Sequence, residues 1–328
     1  MRAMVLDESA GRLELRDIPL PEPGPMEIRV KVRACGVCRT DLHIVDGELR
    51  PPAWPVIPGH EVIGEVDTAG QGVTAFKPGD PVGLAWLAGA CGECEYCRRG
   101  EENLCPRAEF TGFSRPGGYA EYVNARADYA YSLQADQDPV AQAPLMCAGL
   151  IGYRTWRKAG KAQRLGLYGF GAAAHILAQL LVAEGCEVYA FTRPGDSASQ
   201  DFARRLGVVW AGGSDQKPPV VLDAALIFAP VGSLVPAALE VVRPGGSVVC
   251  GGIHMSDIPA FPYRLLWEER RILSVANLTR EDGRQFLERT SRVPVNTATR
   301  VYPLEEANAA LNDLRDGRIE GAAVLSVC

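Results

Sequence analysis

Four cysteines, Cys91, Cys94, Cys97 and Cys105, crowd the stretch CGECEYCRRGEENLC with the spacing C-x2-C-x2-C-x7-C. Thiols this close form disulfides, cradle an iron–sulfur cluster or hold zinc. The ferredoxin run ends C-x3-C-P, and although Pro106 follows Cys105, the last gap here is too long for that pattern. Tetrahedral zinc held by four thiolates fits the spacing, with Gly92 and Gly100 supplying the turns that aim several sulfurs at one centre. A closed set of this kind leaves no position for substrate, so this zinc is expected to organise a loop and do no chemistry.

Chemistry must come from elsewhere, and the chain has only four histidines. ACGVCRTDLH contains Cys38 and His43, IPGHEVIGEV contains His60 followed by Glu61, and APLMCAGLIG contains Cys147 near an expected helix start. Cys38, His60 and Cys147 would together offer two thiolates and an imidazole, a set that leaves zinc a fourth position for water or substrate. A helix start would also favour Cys147 as thiolate. Taken singly, a buried cysteine is usually a small core residue and a lone histidine a satisfied polar one.

The elements that must position these residues change character along the chain. Short strand-like words such as MRAMVL, LELRDI, EIRVKVRACGV and EVIGEV, punctuated by Pro and Gly, predict a mostly antiparallel β-domain over 1–146. Around Asp136 to Cys147 the texture shifts, and Pro144 can open a helix. Over 147–275, strand-like words alternate with helical ones, which predicts a doubly wound parallel sheet and an α/β protein overall. Residues 276–328 are too few for a third core and are expected to return to the first domain.

LGLYGFGAAAHILAQLL reads as a strand, a tight turn with Gly169 and Gly171, and a helix with Ala174 at the third fingerprint position. Glycine permits the turn and close approach to a pyrophosphate, and a small third residue permits helix-on-strand packing. The acidic residue expected to end the next strand beside an adenosine ribose is absent; Thr192 and Arg193 stand there. Thr192 would not repel a 2′-phosphate and Arg193 adds a planar donor fork, so NADP is favoured over NAD, with NAD still possible. His175 is expected only to pack. His254, in GGIHMSDIP, could border a nicotinamide or be plain loop polarity.

In their order and approximate spacing, GVCRTDLH, PGHE, the CGECEYCRRGEENLC lobe, KPGD, the CAG at Cys147 and the glycine turn at Gly169 resemble the zinc-dependent medium-chain alcohol dehydrogenases over essentially the whole chain. The resemblance implies a GroES-like catalytic domain, a Rossmann cofactor domain and two zinc ions. It implies that Cys38, His60 and Cys147 hold the catalytic zinc, with Glu61 beside it or a transient ligand, and that Asp41 orients the imidazole; Asp41 could otherwise be a helix cap. It assigns a proton relay to Thr40, the cofactor ribose and His43, and a pyrophosphate contact to Arg39. Trp86 and Leu49, with Trp54 less central, are expected to line the substrate pocket, Trp86 narrowing it toward unbranched or planar primary alcohols.

The expected reaction is reversible hydride transfer between a primary alcohol or aldehyde and NAD(P), with zinc as Lewis acid. A polyol or secondary-alcohol dehydrogenase shares the architecture, whereas zinc-free quinone reductases lack the thiol lobe. A zinc-stabilised binding or redox-sensing protein would leave Cys38, His60 and Cys147 without a use. The 328 residues, 47% hydrophobic, are enough for two cores, and a formal charge of -6 argues against nucleic acid or anionic membrane as partner. No secretory leader or spanning stretch is read at the start, so the protein is expected to be cytoplasmic, where ten cysteines speak for metal or packing rather than disulfides. Cys35, Cys186 and Cys250 are expected to pack, and Cys328 to be terminal. Self-association as a dimer or tetramer is expected.

Overall fold

The strand Glu27–Val37 organises the first unit because its apolar positions alternate, placing Ile28, Val30, Val32 and Ala34 inward at 0–2% exposure. It pairs antiparallel with Glu61–Ala69 along its length, and with Tyr122–Arg126 and Ala322–Ser326 at its two ends. The seven-stranded sheet continues through Pro81–Leu84 and Tyr131–Ser132 on one side and ends at Thr299–Pro303, which lies parallel to Ala322–Ser326, on the other. Two small antiparallel pairs, Arg2–Val5 with Glu14–Asp17 and Leu87–Gly89 with Glu109–Phe110, complete its strands among the described residues. This computed structural model describes residues 1–8 and 11–327, so Cys328 falls outside it.

In the second unit six parallel strands lie, counted along the unit, in the order third, second, first, fourth, fifth, sixth: Trp210–Gly213, Glu187–Thr192, Arg164–Tyr168, Leu222–Ile227, Val242–Cys250 and Arg271–Ser274. Leu165, Leu167, Val188, Ala224, Leu226 and Val248 are all 0% exposed, as expected of a parallel sheet covered on both faces. The order reverses between Arg164–Tyr168 and Leu222–Ile227, the switch point at which open α/β sheets take their ligands.

The chain divides into Met1–Cys147, Thr279–Arg284 and Thr297–Cys328 as one unit, and Ala148–Leu278 with Gln285–Asn296 as the other. Residues 276–328 therefore do not all return to the first unit. The helix Arg280–Thr290 begins there, but Phe286 is fully buried against Gly149 and Tyr153, and Arg289 reaches Tyr153 and Glu184. That apolar ring and charged head give the later turns of the helix to the second unit.

Candidate active site and its metal ligands

Cys38 follows the last residue of Glu27–Val37 and precedes the helix Arg39–Val45, so a strand end and a helix start fix its sulfur. His60 immediately precedes the neighbouring strand, which Glu61 opens, and Cys147 follows the short 3-10 turn Ala143–Met146 in which Pro144 sits near the start. One ligand atom from each of Cys38, His60, Glu61 and Cys147 lies within 4.8 Å of all the others. The two sulfurs are 3.9 Å apart. His60 Nε2 is buried and has no hydrogen-bond partner among the described residues, an orphaned atom that a Lewis acid would satisfy. Two thiols, an imidazole and a carboxyl with an orphaned nitrogen are a donor set that fits zinc.

Asp41, fully buried, holds this arrangement together. Its Oδ2 accepts from Cys38 N at 2.9 Å, and its Oδ1 accepts from Gly59 N at 3.0 Å and faces His60 Nδ1 at 3.3 Å. It is therefore not the N-cap residue of the helix, which is Cys38, but its carboxylate closes the first turn from the third helical position and also faces the imidazole. Burial works against a charged His60, but the charge and hydrogen bond of Asp41 outweigh it and raise the imidazole well above its usual range. The hydrogen bond from Cys147 holds the Cys38 thiol well below the usual range, and as donor Cys147 is pushed up. Burial, then the charge on Cys38, raises the Glu61 carboxyl. That carboxyl also explains Gly36: a Cβ there would lie 1.8 Å from Glu61 Oε2.

Around these ligands, Thr40 is buried with Oγ1 3.8 Å from Cys38 Sγ, while His43, one turn further along the helix, is half-buried and pairs through Nδ1 with Glu48. Arg39 is exposed. Trp86 meets the His60 ring edge-on at 5.0 Å between centroids and stacks on Phe110 at 5.1 Å, with Phe113 at 5.8 Å. Leu49 and Trp54 pack against the core of the first unit, and Leu49 N donates to His43 O at 2.9 Å.

The sulfurs of Cys91, Cys94, Cys97 and Cys105 also lie within 4.8 Å of one another, and no described cysteine is in a disulfide. Gly92 at φ +76° and Gly100 at φ +71° occupy left-handed turns that a Cβ would strain. Backbone amides point inward: Cys94 N donates to Cys91 Sγ at 3.3 Å, and Arg107 N and Cys91 N donate to Cys105 Sγ at 3.3 and 3.5 Å. The amides of Glu93 and Cys94 lower the Cys91 thiol to about 6, whereas burial pushes Cys97 up to about 12.

In the second unit, Gly169 follows the first strand at φ +87°, and a Cβ there would lie 2.8 Å from Ala229 N, beyond the fourth strand. Gly171 opens the helix Ala172–Ala183 with nothing within 4 Å of its missing Cβ, and Ala174 is 0% exposed. This is a glycine turn at a sheet switch point, with an open face at the helix N-terminus. Thr192 ends its strand turned inward: its hydroxyl faces the carbonyls of Arg193 at 3.0 Å and Gly212 at 3.4 Å and accepts from Gln200 Nε2 at 3.1 Å. Arg193 is exposed. His175 is fully buried, with Nδ1 3.3 Å from Gly171 O and its ring 5.7 Å from Phe202, and His254 is exposed at φ +53°.

Residues 24–135 match the alcohol dehydrogenase GroES-like domain family. The chain is 46% identical over 325 residues to the probable alcohol dehydrogenase AdhA of Mycobacterium tuberculosis, covering 97% of this chain and 93% of that protein. It belongs to the zinc-dependent medium-chain alcohol dehydrogenase family. Among solved structures it resembles the cobalt- and zinc-bound thermostable alcohol dehydrogenase of Pyrobaculum aerophilum, with a TM-score of 0.90, 25% identity and 99% of each chain covered. It also resembles the acetophenone reductase of Geotrichum candidum in complex with NAD, with a TM-score of 0.88, 26% identity, and 99% of this chain and 96% of that one covered.

This alcohol dehydrogenase, an oxidoreductase, thus gathers Cys38, His60, Glu61 and Cys147 at one point and Cys91, Cys94, Cys97 and Cys105 at another. Sequence reading missed Gly36 as the floor beneath Glu61, and Phe110 and Phe113 as companions of Trp86. Two phenylalanines around a polar turn and a single glycine two residues before Cys38 gave no spacing rule that could have found them. No described helix is long and apolar enough to cross a membrane.

Proposed function

We propose that the chain carries two zinc ions and interconverts primary alcohols, aliphatic or aromatic, with their aldehydes, using NADP in preference to NAD. What carries the reading is the convergence of Cys38, His60 and Cys147 on one point, with a buried His60 Nε2 that makes no hydrogen bond. When bound, zinc supplies Lewis-acid polarisation of the alcohol oxygen and the nicotinamide ring supplies the hydride acceptor. Asp41 keeps the proton on His60 Nδ1 and so keeps Nε2 free for the metal. Thr40 Oγ1, beside Cys38, would accept the proton of the substrate hydroxyl while giving up its own toward a cofactor ribose hydroxyl, and His43, at the half-buried end of the same helix, would pass a proton on to water.

Trp86, stacked on Phe110 and edge-on to His60, presents a flat wall that suits planar or unbranched substrates better than branched ones. The four-thiolate lobe holds the second zinc without an open position. Gly169, Gly171 and Ala174 would receive the pyrophosphate and Arg193 a 2′-phosphate, and Arg39 would serve as a further phosphate contact. The protein is read as cytoplasmic, and self-association as a dimer or tetramer accords with the exposed Tyr263 and Trp267, 72% and 62% exposed, which precede the edge strand Arg271–Ser274. Metal analysis and a substrate panel with both cofactors test the reading together: one zinc per chain, or turnover of sorbitol but not of benzyl alcohol, would sink it.

A further inference from the structure

The loop that delivers His60 is held from the side by a second segment. Gly117 N donates to Ile57 O at 2.7 Å, Tyr119 N to Pro58 O at 3.0 Å and Gly118 N to Gly59 O at 2.8 Å. The two backbones lie too close for side chains to come between them. A Cβ on Gly117 would sit 2.3 Å from Gly59 O and 2.4 Å from Pro58 O, and one on Gly112 would sit 2.8 Å from Gly59 N. Gly118 is closed in the same way by Val62, 2.4 Å from the position of its absent Cβ. Gly59 itself stands at φ +96°, and its missing Cβ would lie 2.3 Å from the Tyr119 ring. Tyr119 is fully buried, and its carbonyl is tied to Met4 N at 2.8 Å.

The chemical consequence runs through one amide. Gly59 N donates to Asp41 Oδ1 at 3.0 Å, and that same oxygen faces His60 Nδ1 at 3.3 Å. Turning the Gly59 peptide would take its donor from the carboxylate and let Asp41 swing away from the imidazole. A metal-ligating histidine relies on such a partner for its tautomer and its direction.

We infer that Gly117–Tyr119 is a backbone clamp that sets the direction of His60, with Tyr119 a positioning residue for the metal; this rests on reading Cys38, His60 and Cys147 as a zinc site. The clamp acts through the Tyr119 ring, because the phenol hydroxyl is buried without a hydrogen-bond partner among the described residues. Removing the oxygen should therefore be silent, and removing the ring should not. Placing a methyl at Gly117 pries the same two backbones apart from the other side.

Zinc-loaded protein mixed with pyridylazoresorcinol reports each ion as it leaves. Wild type is expected to release zinc in two phases, and Cys94→Ser identifies the lobe phase by abolishing it. Tyr119→Leu and Gly117→Ala are expected to speed the other phase by ~10-fold or more, the scale seen when the partner of a metal-bound histidine is disturbed, and to leave the lobe phase unchanged. Tyr119→Phe is expected to match wild type. Equal release from wild type and Tyr119→Leu overturns the clamp, as does acceleration of both phases together or a Tyr119→Phe as fast as Tyr119→Leu. Should Gly117→Ala fail to fold, Tyr119→Leu alone decides. A wild-type chain that releases only the lobe zinc overturns the metal reading itself, before any variant is compared.

Discussion

Arg280 donates to Glu102 twice, from its backbone N at 2.9 Å and from its guanidinium Nε at 3.3 Å. Glu102 lies between Cys97 and Cys105, and Arg280 is the first residue of the helix Arg280–Thr290, so a carboxylate from the thiol lobe caps a helix distant in sequence. Thr279 and Asp282 complete the cap, with Thr279 Oγ1 2.7 Å from Asp282 Oδ2. The Arg280 guanidinium also lies over Tyr129 at 4.6 Å. Glu102→Ala is expected to cost about 1.5–3 kcal/mol of local stability, because it orphans a half-buried helix amide and a charged partner. Amide exchange across Arg280–Thr290 reads this directly, and protection equal to wild type would refute it.

The two metal sites should separate by mutation. Cys94→Ser opens a closed thiolate set and is expected to lose one zinc and much of the fold's resistance to denaturant. His60→Ala is expected to abolish turnover in a protein that stays folded, since neither the lobe nor the sheet depends on its ring. Metal analysis and melting curves on both variants check this; iron with visible charge-transfer absorption would refute the assignment.

His43→Ala is expected to slow alcohol oxidation mostly at lower pH, where solvent base is scarce and proton release limits the rate. Small buffer bases should restore part of the loss. Thr40→Ala should be more damaging and Thr40→Ser should retain activity, because only a hydroxyl beside Cys38 can take the proton. A His43→Ala enzyme indifferent to pH and buffer would return His43 to a plain partner of Glu48.

Arg193→Ala is expected to lower kcat/KM with NADP by ~10-fold or more and to leave NAD almost unchanged, the scale of one charge-assisted contact. The reciprocal change Thr192→Asp is less clean than the sequence implies. The Thr192 hydroxyl faces two carbonyl oxygens, so an aspartate there would be repelled inward and is expected to cost stability as well as NADP use. A wild-type preference for NAD that survives Arg193→Ala would remove the phosphate contact.

Burial lowers His175 to about 4 from an ordinary 6.5. The unfolded chain then binds the extra proton between those values, so this contribution to stability is complete above pH 6.5, falls as pH drops toward 4 and is flat below. A lowered imidazole of this size corresponds to about 3 kcal/mol across the window. Because His175 Nδ1 reaches Gly171 O, the loss should show first as weaker dinucleotide binding. His175→Leu is expected to flatten the pH dependence of melting between 6.5 and 4; an unchanged slope would refute the assignment.

The gathering of Cys91, Cys94, Cys97 and Cys105 was legible because the four thiols are local in the sequence. Cys38, His60 and Cys147 are scattered over more than a hundred residues, so no spacing rule joins them. There the words GVCRTDLH and PGHE carried the reading through resemblance. What stayed hidden depends on which backbones meet. Gly36 is glycine because Glu61 fills the space of its side chain, Gly117 because Pro58 and Gly59 do, and neither fact is written in the neighbouring sequence. The helix Arg280–Thr290 was found by its pattern, but an apolar face does not state which core it will meet, and Phe286 sends the later turns to the second unit.

The pairing of Ala322–Ser326 with the end of Glu27–Val37, Ala323 opposite Val37, imposes an order on biosynthesis. As the chain leaves the ribosome, the second unit has all six of its strands in hand while the first still lacks the partner for one edge of its central strand. Cys38 stands one residue beyond that unfinished edge. Metal insertion at the proposed dispersed site is therefore expected only near the end of translation, whereas the thiol lobe has all four of its candidate ligands in hand much earlier.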